Sequence, residues 1–427
     1  MKVAVIGAGP SGLTLAKQLK DRNIEFVVYE RDQGLGGVWN INNQHSVMYE
    51  SAHTISSKSM TQFSEFPMPD EYSEYISHKK MLLYLQVYVE KFELLPYIQF
   101  SSAVEKITKT KQGNYQVILD TGDKQEFEHV AIATGHTSKA NSPDLIFDKF
   151  EGQVLHTQVY KEPSIFKNKK VLVVGAGNSG CDVACEATSS AQQVSLSIRR
   201  GYYFIPKFLL GMPADVFSET SVKLRLPMFL RQAINHIIIR IFQGNLQKIG
   251  FPKPDHKIFE SHPIVNDLLI YYVRHGDVSI RKDVKDVLAD SVIFSDGTSI
   301  EVNVIVLATG YEPDFSFLEK NLRPSAKDLY LHQFSKQHYG LTFPGLLDPN
   351  GGILDILESQ AKLSAIAIAQ NIGAEKFLSM IRKSPPLNGG VHYVNSSRHE
   401  YEVEHATYRR KMKKQIQMFE SLIQKEP

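Results

Sequence analysis

The sequence predicts an α/β fold in which two domains of the same design each contain a parallel sheet and an inserted β-meander. Two glycine patterns of the form GxGxxG, at 7–12 and 175–180, each directly follow a short apolar run. Buried-strand patterns that close on Ala-Thr-Gly come later in each half, at 133–135 and 308–310. Stretches that alternate polar with apolar residues precede them and indicate antiparallel strands. This internal repeat predicts two Rossmann-like dinucleotide-binding domains in one chain.

The first glycine pattern has the order that binding of a pyrophosphate requires, which is a buried strand, a tight turn and then a helix. Gly7 makes the turn, Gly9 lets the ligand approach the backbone, and Gly12 lets the helix pack on the strand. Pro10 and Ser11 lie at the start of that helix, where free N–H groups and the positive dipole end favour phosphate. We therefore expect these five residues to hold the phosphates of the first nucleotide.

The residues at the end of the second strand of each domain indicate which nucleotide is bound. In the first domain this residue is Glu30, whose carboxylate accepts hydrogen bonds from ribose hydroxyls and repels a 2′-phosphate, so FAD fits. In the second domain the strand ends in Arg199 and Arg200, and paired guanidiniums suit a 2′-phosphate, which favours NADPH over NADH. The other residues expected to hold this second nucleotide are Gly175, Gly177, Ser179 and Gly180.

Length and composition fit a globular protein of two domains. The chain has 427 residues, of which 42% are hydrophobic and 22% charged. We predict a first domain from 1–155 and 313–427 and a second from 156–312, with the second boundary between 280 and 312. The net charge of +2 gives no reason to expect nucleic acid or a strongly acidic partner.

Other features exclude several classes of protein. The sequence has no apolar stretch of about 18 residues, so we expect no transmembrane segment. The two cysteines, Cys181 and Cys185, are not a CxxC pair, so no dithiol chemistry is expected. Buried cysteines of this kind indicate a reduced cytoplasmic location. The histidines form no metal-ligand cluster, and we expect no metal site.

Two helical stretches carry less information about function. Apolar residues recur at helical spacing from Leu230 to Ile241, which predicts a core face or a face that covers the domain, with substrate entry or contact with lipid as the alternatives. The segment from His399 onward predicts an amphipathic helix with a basic outer face. We expect that helix to pack on its own domain or on a second subunit, and a homodimer is therefore open.

Between the two glycine patterns, residues 150–161 read Phe-Glu-Gly-Gln-Val-Leu-His-Thr-Gln-Val-Tyr-Lys. This run resembles FxGxxxHxxxYK, the identifying sequence of the flavin-containing monooxygenases, which are class B flavoprotein monooxygenases. Further segments at 36–39, 57–67, 262–267 and 308–311 are similar to that family in the same order and cover nearly the whole chain. Baeyer–Villiger relatives usually carry Trp in place of Tyr160-Lys161, so the chain resembles the N- and S-oxygenating members, of the soluble bacterial type.

The resemblance implies an FAD- and NADPH-dependent monooxygenase. In that family NADPH reduces FAD, a C(4a)-hydroperoxyflavin forms with O2, and one oxygen atom is inserted into a soft nucleophile, an amine nitrogen or a sulfide sulfur. The partners implied are therefore a small-molecule amine or sulfide substrate and O2. Because the flavin supplies the chemistry, no protein nucleophile is needed, and the sequence shows none.

The resemblance also implies roles for single residues. Val38 and Trp39 should lie near the flavin, the backbone of Val104 near its adenine end, and Gln360 in contact with the flavin. Gly135, in the first Ala-Thr-Gly segment, should let the backbone pass close to a nucleotide. His156, within the identifying run, should help to couple the two domains.

One position departs from the family. Read without gaps from Tyr49 to Lys58, the family's active-site Asn falls on Ile55, which cannot make the hydrogen bond of an amide. One alternative is that a neighbour replaces the amide, the candidates being Thr54, Ser56 and Asn178. The other is that the protein leaks hydrogen peroxide. The alternative functions are thus an NADPH oxidase or reductase with weak or no oxygen transfer, and a Baeyer–Villiger oxidation of ketones.

Overall fold

The computed structural model describes residues 1–224, 226–370, 372–395 and 399–423, the side chains of 422 and 423 excepted. The last residues of the predicted first domain, 424–427, lie outside this description. The described chain is mixed α/β and is built around two separate sheets.

The first sheet has seven strands, and the N-terminal strand lies in its interior. Strand Lys2–Ile6 pairs in parallel with Glu25–Tyr29 on one side and with His129–Ile132 on the other, so that Ile6 stands beside both Tyr29 and Ile132. The chain therefore leaves all three strands at one edge of the sheet, which is where a ligand of such a sheet binds. In sheet order the seven strands are Leu329–Tyr330, Phe334–Ser335, Leu341–Thr342, His129–Ile132, Lys2–Ile6, Glu25–Tyr29 and Ile98–Gln99.

The second sheet repeats this design with five parallel strands. In sheet order they are Val278–Arg281, Gln193–Ser197, Lys170–Val174, Val304–Leu307 and Gln153–His156. Each domain also carries a three-stranded antiparallel meander. The meander strands are Val104–Lys109, Tyr115–Leu119 and Lys124–Phe127 in the first domain, and Val284–Val287, Ser291–Phe294 and Ser299–Glu301 in the second. The predicted fold class is confirmed.

The helices cover both sheets. They are Pro10–Lys20, Lys58–Thr61, His78–Lys91, Asn178–Ala187, Ala214–Lys223, Met228–Gln243, Leu268–His275, Leu354–Ala369, Ala374–Ile381 and His405–Ile423. The remaining strands form short pairs, which are Phe204–Ile205 with Ile264–Val265, Phe208–Leu209 with Met212–Pro213, and Asp348–Pro349 with Glu402–Val403. None of the described helices is both long and apolar enough to span a membrane.

The chain crosses between the domains twice, and the two passages run side by side. Lys139–Ala140 pairs antiparallel with Tyr311–Glu312, and the Lys139 ammonium lies 2.8 Å from a carboxylate oxygen of Glu312. Strand Gln153–His156 already belongs to the second sheet. The boundary that we placed after residue 155 therefore cuts through this strand, because the sequence pattern of a short edge strand does not reveal which sheet it joins.

The helix Met228–Gln243 is turned opposite to its expected orientation. Its buried residues include the polar Arg231, Asn235 and Gln243. The apolar stripe faces outward, with Ile237 58% and Ile241 74% exposed. The expectation that this stripe forms a core or covering face is wrong, because the opposite face is held by hydrogen bonds of Gln243 and by the contacts of Arg231 with Ser221 and Glu404. The C-terminal helix behaves as expected and buries Tyr408, Met412 and Phe419 in the first domain.

Candidate functional site

Two of the three glycines of the first pattern are required by the fold itself. Gly7 has a φ of +108°, and a Cβ there would lie 2.8 Å from the carbonyl oxygen of Ala133. A Cβ on Gly12 would lie 1.9 Å from the carbonyl oxygen of Gly7, so the helix could not pack on the turn. These two glycines bring the helix start and the strand ends together.

Gly9 differs, because space rather than protein surrounds it. It is the N-cap residue of helix Pro10–Lys20, and no side chain caps the helix there. A Cβ on Gly9 would meet only the Cα of Gly37, at 3.7 Å. The uncapped N–H groups and the absence of side chains leave a shallow cradle that a Cβ would fill. This cradle fits a pyrophosphate, and we propose that Gly9, Pro10 and Ser11 hold that part of FAD.

Glu30 lies beside this cradle and is tied to it. It is 5% exposed, and its two carboxylate oxygens accept hydrogen bonds from the backbone N–H groups of Ala8, at 2.7 Å, and Asp32, at 2.9 Å. Burial raises the pKa of the Glu30 carboxyl group. Each carboxylate oxygen keeps a second lone pair, so the group can still accept from ribose hydroxyls. The residues present thus fit the adenosine end of FAD.

The segment with Val38 and Trp39 is placed against the same cradle. The N–H of Gly36 donates to the carbonyl oxygen of Ala8 at 2.9 Å, which holds this segment on the glycine turn. The hydroxyl of Ser46 donates to the carbonyl oxygen of Val38 at 2.6 Å. Trp39 is half-buried and packs on the core of the first domain. The structure therefore brings both residues to the predicted site, while leaving Trp39 a packing role as well.

Two further predicted residues lie along the same edge of the first sheet. The N–H of Ser102 donates to the carbonyl oxygen of Glu30 at 2.9 Å, and Val104 begins the meander shortly after it. Gly135 follows strand His129–Ile132, has a φ of +73°, and faces open space. We propose that Val104 and Gly135 contact FAD from two sides.

Gln360 reaches this site only indirectly. It is completely buried, and its amide accepts from the N–H of Gly345 at 2.8 Å and donates to the hydroxyl of Tyr408 at 2.7 Å. A Cβ on Gly345 would lie 2.1 Å from the hydroxyl oxygen of Ser11. Gln360 thus positions the Gly345 turn behind Ser11, and these contacts do not support a direct contact of its amide with the flavin. Sequence reasoning missed Gly345, although its φ of +82° explains why a glycine follows Pro344.

The second glycine pattern repeats the geometry of the first. Gly175 has a φ of +106°, and its Cβ would lie 2.5 Å from the carbonyl oxygen of Ala308, while a Cβ on Gly180 would lie 2.0 Å from that of Gly175. Gly177 is the N-cap residue of helix Asn178–Ala187, again without a side-chain cap. We propose that Gly177, Ser179 and Gly180 hold the pyrophosphate of NADPH.

The two predicted arginines are not equivalent. Arg200 donates from Nη2 to Asp255 at 2.8 Å and lies 3.1 Å from Nδ1 of His256. Arg199 is exposed, and no residue in the described part of the chain pairs with it. Gly175 and Arg199 lie at the same edge of the second sheet, because Val174 is in register with Ser197. Arg199 is therefore the guanidinium that is free for a 2′-phosphate, and Arg200 is the one already held in place.

A cleft of about 420 Å³ lies between the two domains. Its wall includes the start of helix Asn178–Ala187, the segment 308–313, and His136 and Thr137, which follow Gly135 of the first domain. Asp348, Glu400 and Tyr401 close the far side. The cleft therefore extends from the second nucleotide site to the residues that follow Gly135 in the first domain.

The residues that could replace the missing amide have different contacts. Asn178 donates to the carbonyl oxygen of Pro263 at 3.1 Å and accepts from the N–H of Val265 at 2.8 Å, so its amide is engaged on both sides. The hydroxyl of Ser56 is bonded to that of Thr61 at 2.6 Å. Thr54 accepts from the N–H of Ile76 at 3.0 Å and keeps its own O–H proton to donate. Thr54 keeps its O–H and Asn178 keeps its second N–H as donors, whereas the Ser56 hydroxyl already has a partner, so the contacts favour Thr54 and Asn178 over Ser56.

The identifying run at 150–161 joins the two domains. Lys161 donates from Nζ to the carbonyl oxygens of Ser46 and Met48, each at 2.9 Å, and burial lowers the pKa of its ammonium group. Tyr160 is completely buried, and its hydroxyl donates to Glu186 of helix Asn178–Ala187 at 2.5 Å. The run thus fastens the segment that contacts Val38 to the helix of the second site.

His156, in the same run, packs edge-on against the ring of Tyr311 with centroids 5.1 Å apart. Tyr311 lies in the passage by which the chain returns to the first domain. Burial lowers the pKa of the His156 imidazole. The implied part of His156 in joining the domains is consistent with this packing.

Comparisons with known proteins agree with the two-nucleotide geometry. A family model described as flavin-binding monooxygenase-like matches residues 1–422. Dimethylaniline monooxygenase [N-oxide-forming] 2 of Oryctolagus cuniculus is 34% identical over 389 residues, which is 84% of this chain and 72% of that protein. Flavin-containing monooxygenase 5 of Mus musculus is 32% identical over 425 residues, 93% of this chain and 79% of that protein.

Solved structures share the fold at low sequence identity. S-allyl-L-cysteine S-oxygenase from Allium sativum superimposes with a TM-score of 0.68 at 18% identity, covering 97% of this chain and 88% of that one. Cyclohexanone monooxygenase bound to ε-caprolactone superimposes with a TM-score of 0.70 at 18% identity, covering 86% and 87%. These likenesses show a shared fold of two dinucleotide-binding domains.

Proposed function

The chain belongs to the flavin-binding monooxygenase-like family, and from this premise we propose that it oxygenates the nitrogen of an amine or the sulfur of a sulfide. It is an FAD- and NADPH-dependent monooxygenase that uses O2 and a small-molecule substrate. The observation that carries the proposal is the interdomain cleft, because residues that follow the first nucleotide site and residues of the second line the same space.

FAD, when bound, supplies the redox chemistry between NADPH and O2. The chain itself binds the two nucleotides, orients them and excludes water from the space between them. Glu30 and the cradle at Gly9 fix the adenosine and pyrophosphate of FAD, and the helix start at Gly177 fixes those of NADPH. The run at 150–161 joins the two sites, because Tyr160 bonds to the helix of the second site and Lys161 bonds to the segment that contacts Val38.

Ile55 favours a second candidate function, an NADPH oxidase that releases hydrogen peroxide. Its side chain has no hydrogen-bonding group, so the hydrogen bond of the family's amide would have to come from a neighbour such as Thr54 or the second N–H of Asn178. In an oxidase of this kind both nucleotides bind as proposed, but few oxygen atoms are transferred to a substrate.

One experiment separates the two functions. Purified holoenzyme is supplied with NADPH, O2 and either N,N-dimethylaniline or methyl phenyl sulfide, and the amounts of NADPH, O2, hydrogen peroxide and N- or S-oxide are measured. An oxygenase yields nearly one oxide per NADPH with at least one of the two substrates. Release of nearly all reducing equivalents as hydrogen peroxide with both substrates would support the oxidase instead. A cytoplasmic location and a homodimer stay predictions, which fractionation and sedimentation would test.

A further inference from the structure

We propose that Asp215 is a positioning residue that holds the loop with Ile55 in place from the opposite domain. This loop, residues 52–58, belongs to the first domain, whereas Asp215 lies in the long excursion of the second domain at 201–275. The inference concerns the same site as the proposed function and in its catalytic consequence rests on it.

The contact between Asp215 and the loop is double. One carboxylate oxygen, Oδ2, accepts from the backbone N–H of Ser57 at 2.7 Å and from the Ser57 hydroxyl at 3.0 Å. Ser57 is completely buried and is the N-cap residue of the short helix Lys58–Thr61. Asp215 lies in the first turn of helix Ala214–Lys223. Hydrogen bonds to a charged acceptor are among the stronger ones in proteins, so this contact fixes the end of the loop.

The other end of the loop is held by backbone hydrogen bonds within the first domain, and the side chain of Ala52 also packs in the core of the second domain. The N–H of Thr54 donates to the carbonyl oxygen of Ile76 at 2.9 Å, and the N–H of His78 donates to that of Ala52 at 2.9 Å. Ile55 and Ser56 thus stand between Thr54, which is bound to the first domain, and Ser57, which is bound to the second. A displacement of the excursion relative to the first domain would therefore reach Ile55 through Ser57.

A second contact lies close by and supports this arrangement. The hydroxyl of Tyr75 donates to the carbonyl oxygen of Lys207, and the rings of Tyr75 and Phe208 meet edge-on with centroids 5.5 Å apart. Tyr75 precedes Ile76, which holds Thr54, and Lys207 and Phe208 belong to the excursion. The excursion therefore contacts Ser57 directly and also contacts the segment at Tyr75 and Ile76 that holds Thr54.

Hydrogen–deuterium exchange of the full-length holoenzyme tests the contact without reference to activity. Asp215→Ala removes the acceptor, and we expect the Ser57 amide, followed in a peptide covering 52–61, to exchange about ten- to a hundredfold faster. Asp215→Asn keeps an acceptor oxygen and should restore most of the protection. Glu219→Gln, which removes one charge from the same helix, is the matched control and should exchange as wild type does.

A second measurement tests the catalytic consequence. In Asp215→Ala the fraction of NADPH electrons recovered as hydrogen peroxide should rise severalfold, while the FAD content and the KM for NADPH stay unchanged. Ser57→Ala, which loses only the hydroxyl contact, should show a smaller rise and serves if Asp215→Ala does not fold.

Two results would overturn the proposal. The first is unchanged exchange of the Ser57 amide in Asp215→Ala or, if that variant does not fold, a fraction of hydrogen peroxide in Ser57→Ala equal to that of wild type. The second is a rise in hydrogen peroxide that merely follows loss of FAD. Because exchange can be read whether or not an amine or sulfide is oxygenated, failure of the proposed function would leave the first test intact.

Discussion

The backbone N–H of Ala8 donates to Oε2 of Glu30 at 2.7 Å, across the edge of the first sheet. This hydrogen bond joins the glycine turn to the carboxylate that is proposed to bind the ribose. Because Ile6 and Tyr29 are in register, both groups leave the sheet at the same level. The two parts of the first nucleotide site are thus set relative to each other before any ligand binds.

Gly9→Ala should leave the fold intact and weaken the binding of FAD. The added Cβ meets only the Cα of Gly37 at an ordinary contact distance, so the flavin-free protein should unfold at an unchanged temperature. The methyl group fills the cradle, and a misfit of about 1–3 kcal/mol corresponds to a ten- to hundredfold loss of FAD affinity. Fluorescence titration of FAD measures this, with Gly373→Ala, where a Cβ meets nothing, as control. If Gly9→Ala binds one FAD per chain as tightly as wild type does, the cradle does not hold the pyrophosphate of FAD.

Arg199→Ala should impair the use of NADPH and not of NADH. The exposed guanidinium is free to pair with the 2′-phosphate, and loss of such a charge-assisted contact costs about 1.5–3 kcal/mol, or roughly ten- to a hundredfold in affinity. Rates of flavin reduction, measured against the concentration of each nucleotide, give the apparent dissociation constants for NADPH and NADH. Arg240→Ala, which removes another exposed arginine of the second domain, should change neither. Equal efficiency of NADPH and NADH in wild type would remove the basis for this site.

Ile55→Asn should reduce the hydrogen peroxide formed per NADPH. The new amide can supply a hydrogen bond of about 0.5–1.5 kcal/mol. Such a bond would slow the reaction that releases hydrogen peroxide about two- to tenfold. Ile55→Leu keeps the size without the amide and should behave as wild type. Peroxide assay beside NADPH consumption measures the effect, and the melting temperature shows whether the amide is tolerated. A wild type that already converts nearly all NADPH to product would show that Thr54 or another group fills the role.

Glu186→Gln should change how stability depends on pH. Burial raises the pKa of the Glu186 carboxyl group above its ordinary value of 4.5. The folded state therefore favours the protonated form, and the stability contributed by Glu186 is present below 4.5 and is lost as pH rises through the raised pKa. The free energy of unfolding of wild type minus that of the variant should fall as the pH rises above 4.5.

The matched control has the opposite sign. The hydrogen bond from Lys79 lowers the pKa of the exposed Glu50, whose contribution is present above 4.5 and is lost as pH falls. Urea unfolding at several pH values compares Glu186→Gln with Glu50→Gln. Identical slopes for the two variants would contradict the assigned direction at Glu186.

The parts of the site that could be read from the sequence are those that local chain order fixes. Gly7, Gly12 and Glu30 follow strands whose parallel register is dictated by the fold, so their positions follow from the pattern alone. The position of Arg199 follows from the sequence for the same reason. The difference between Arg199 and Arg200 does not, because the partner of Arg200, Asp255, lies far along the chain.

Other parts depend on contacts between distant segments, and the sequence carries no local signal for them. Gly345 meets Ser11, and Asp215 meets Ser57, only because the tertiary fold brings them together. The apolar stripe that includes Ile237 shows a different limit. Helical periodicity identifies a face, but it does not say whether protein or water covers that face.

The paired passages Lys139–Ala140 and Tyr311–Glu312 have a mechanical consequence. A single connecting strand would act as a swivel, because rotation about the bonds of one chain meets little resistance. Two antiparallel strands, joined in register and by the Lys139–Glu312 ion pair, cannot wind about each other without breaking those bonds. The paired strands therefore resist twisting of one domain against the other more than bending. The relative orientation of the two nucleotide sites is therefore restrained by the connecting strands before either ligand binds.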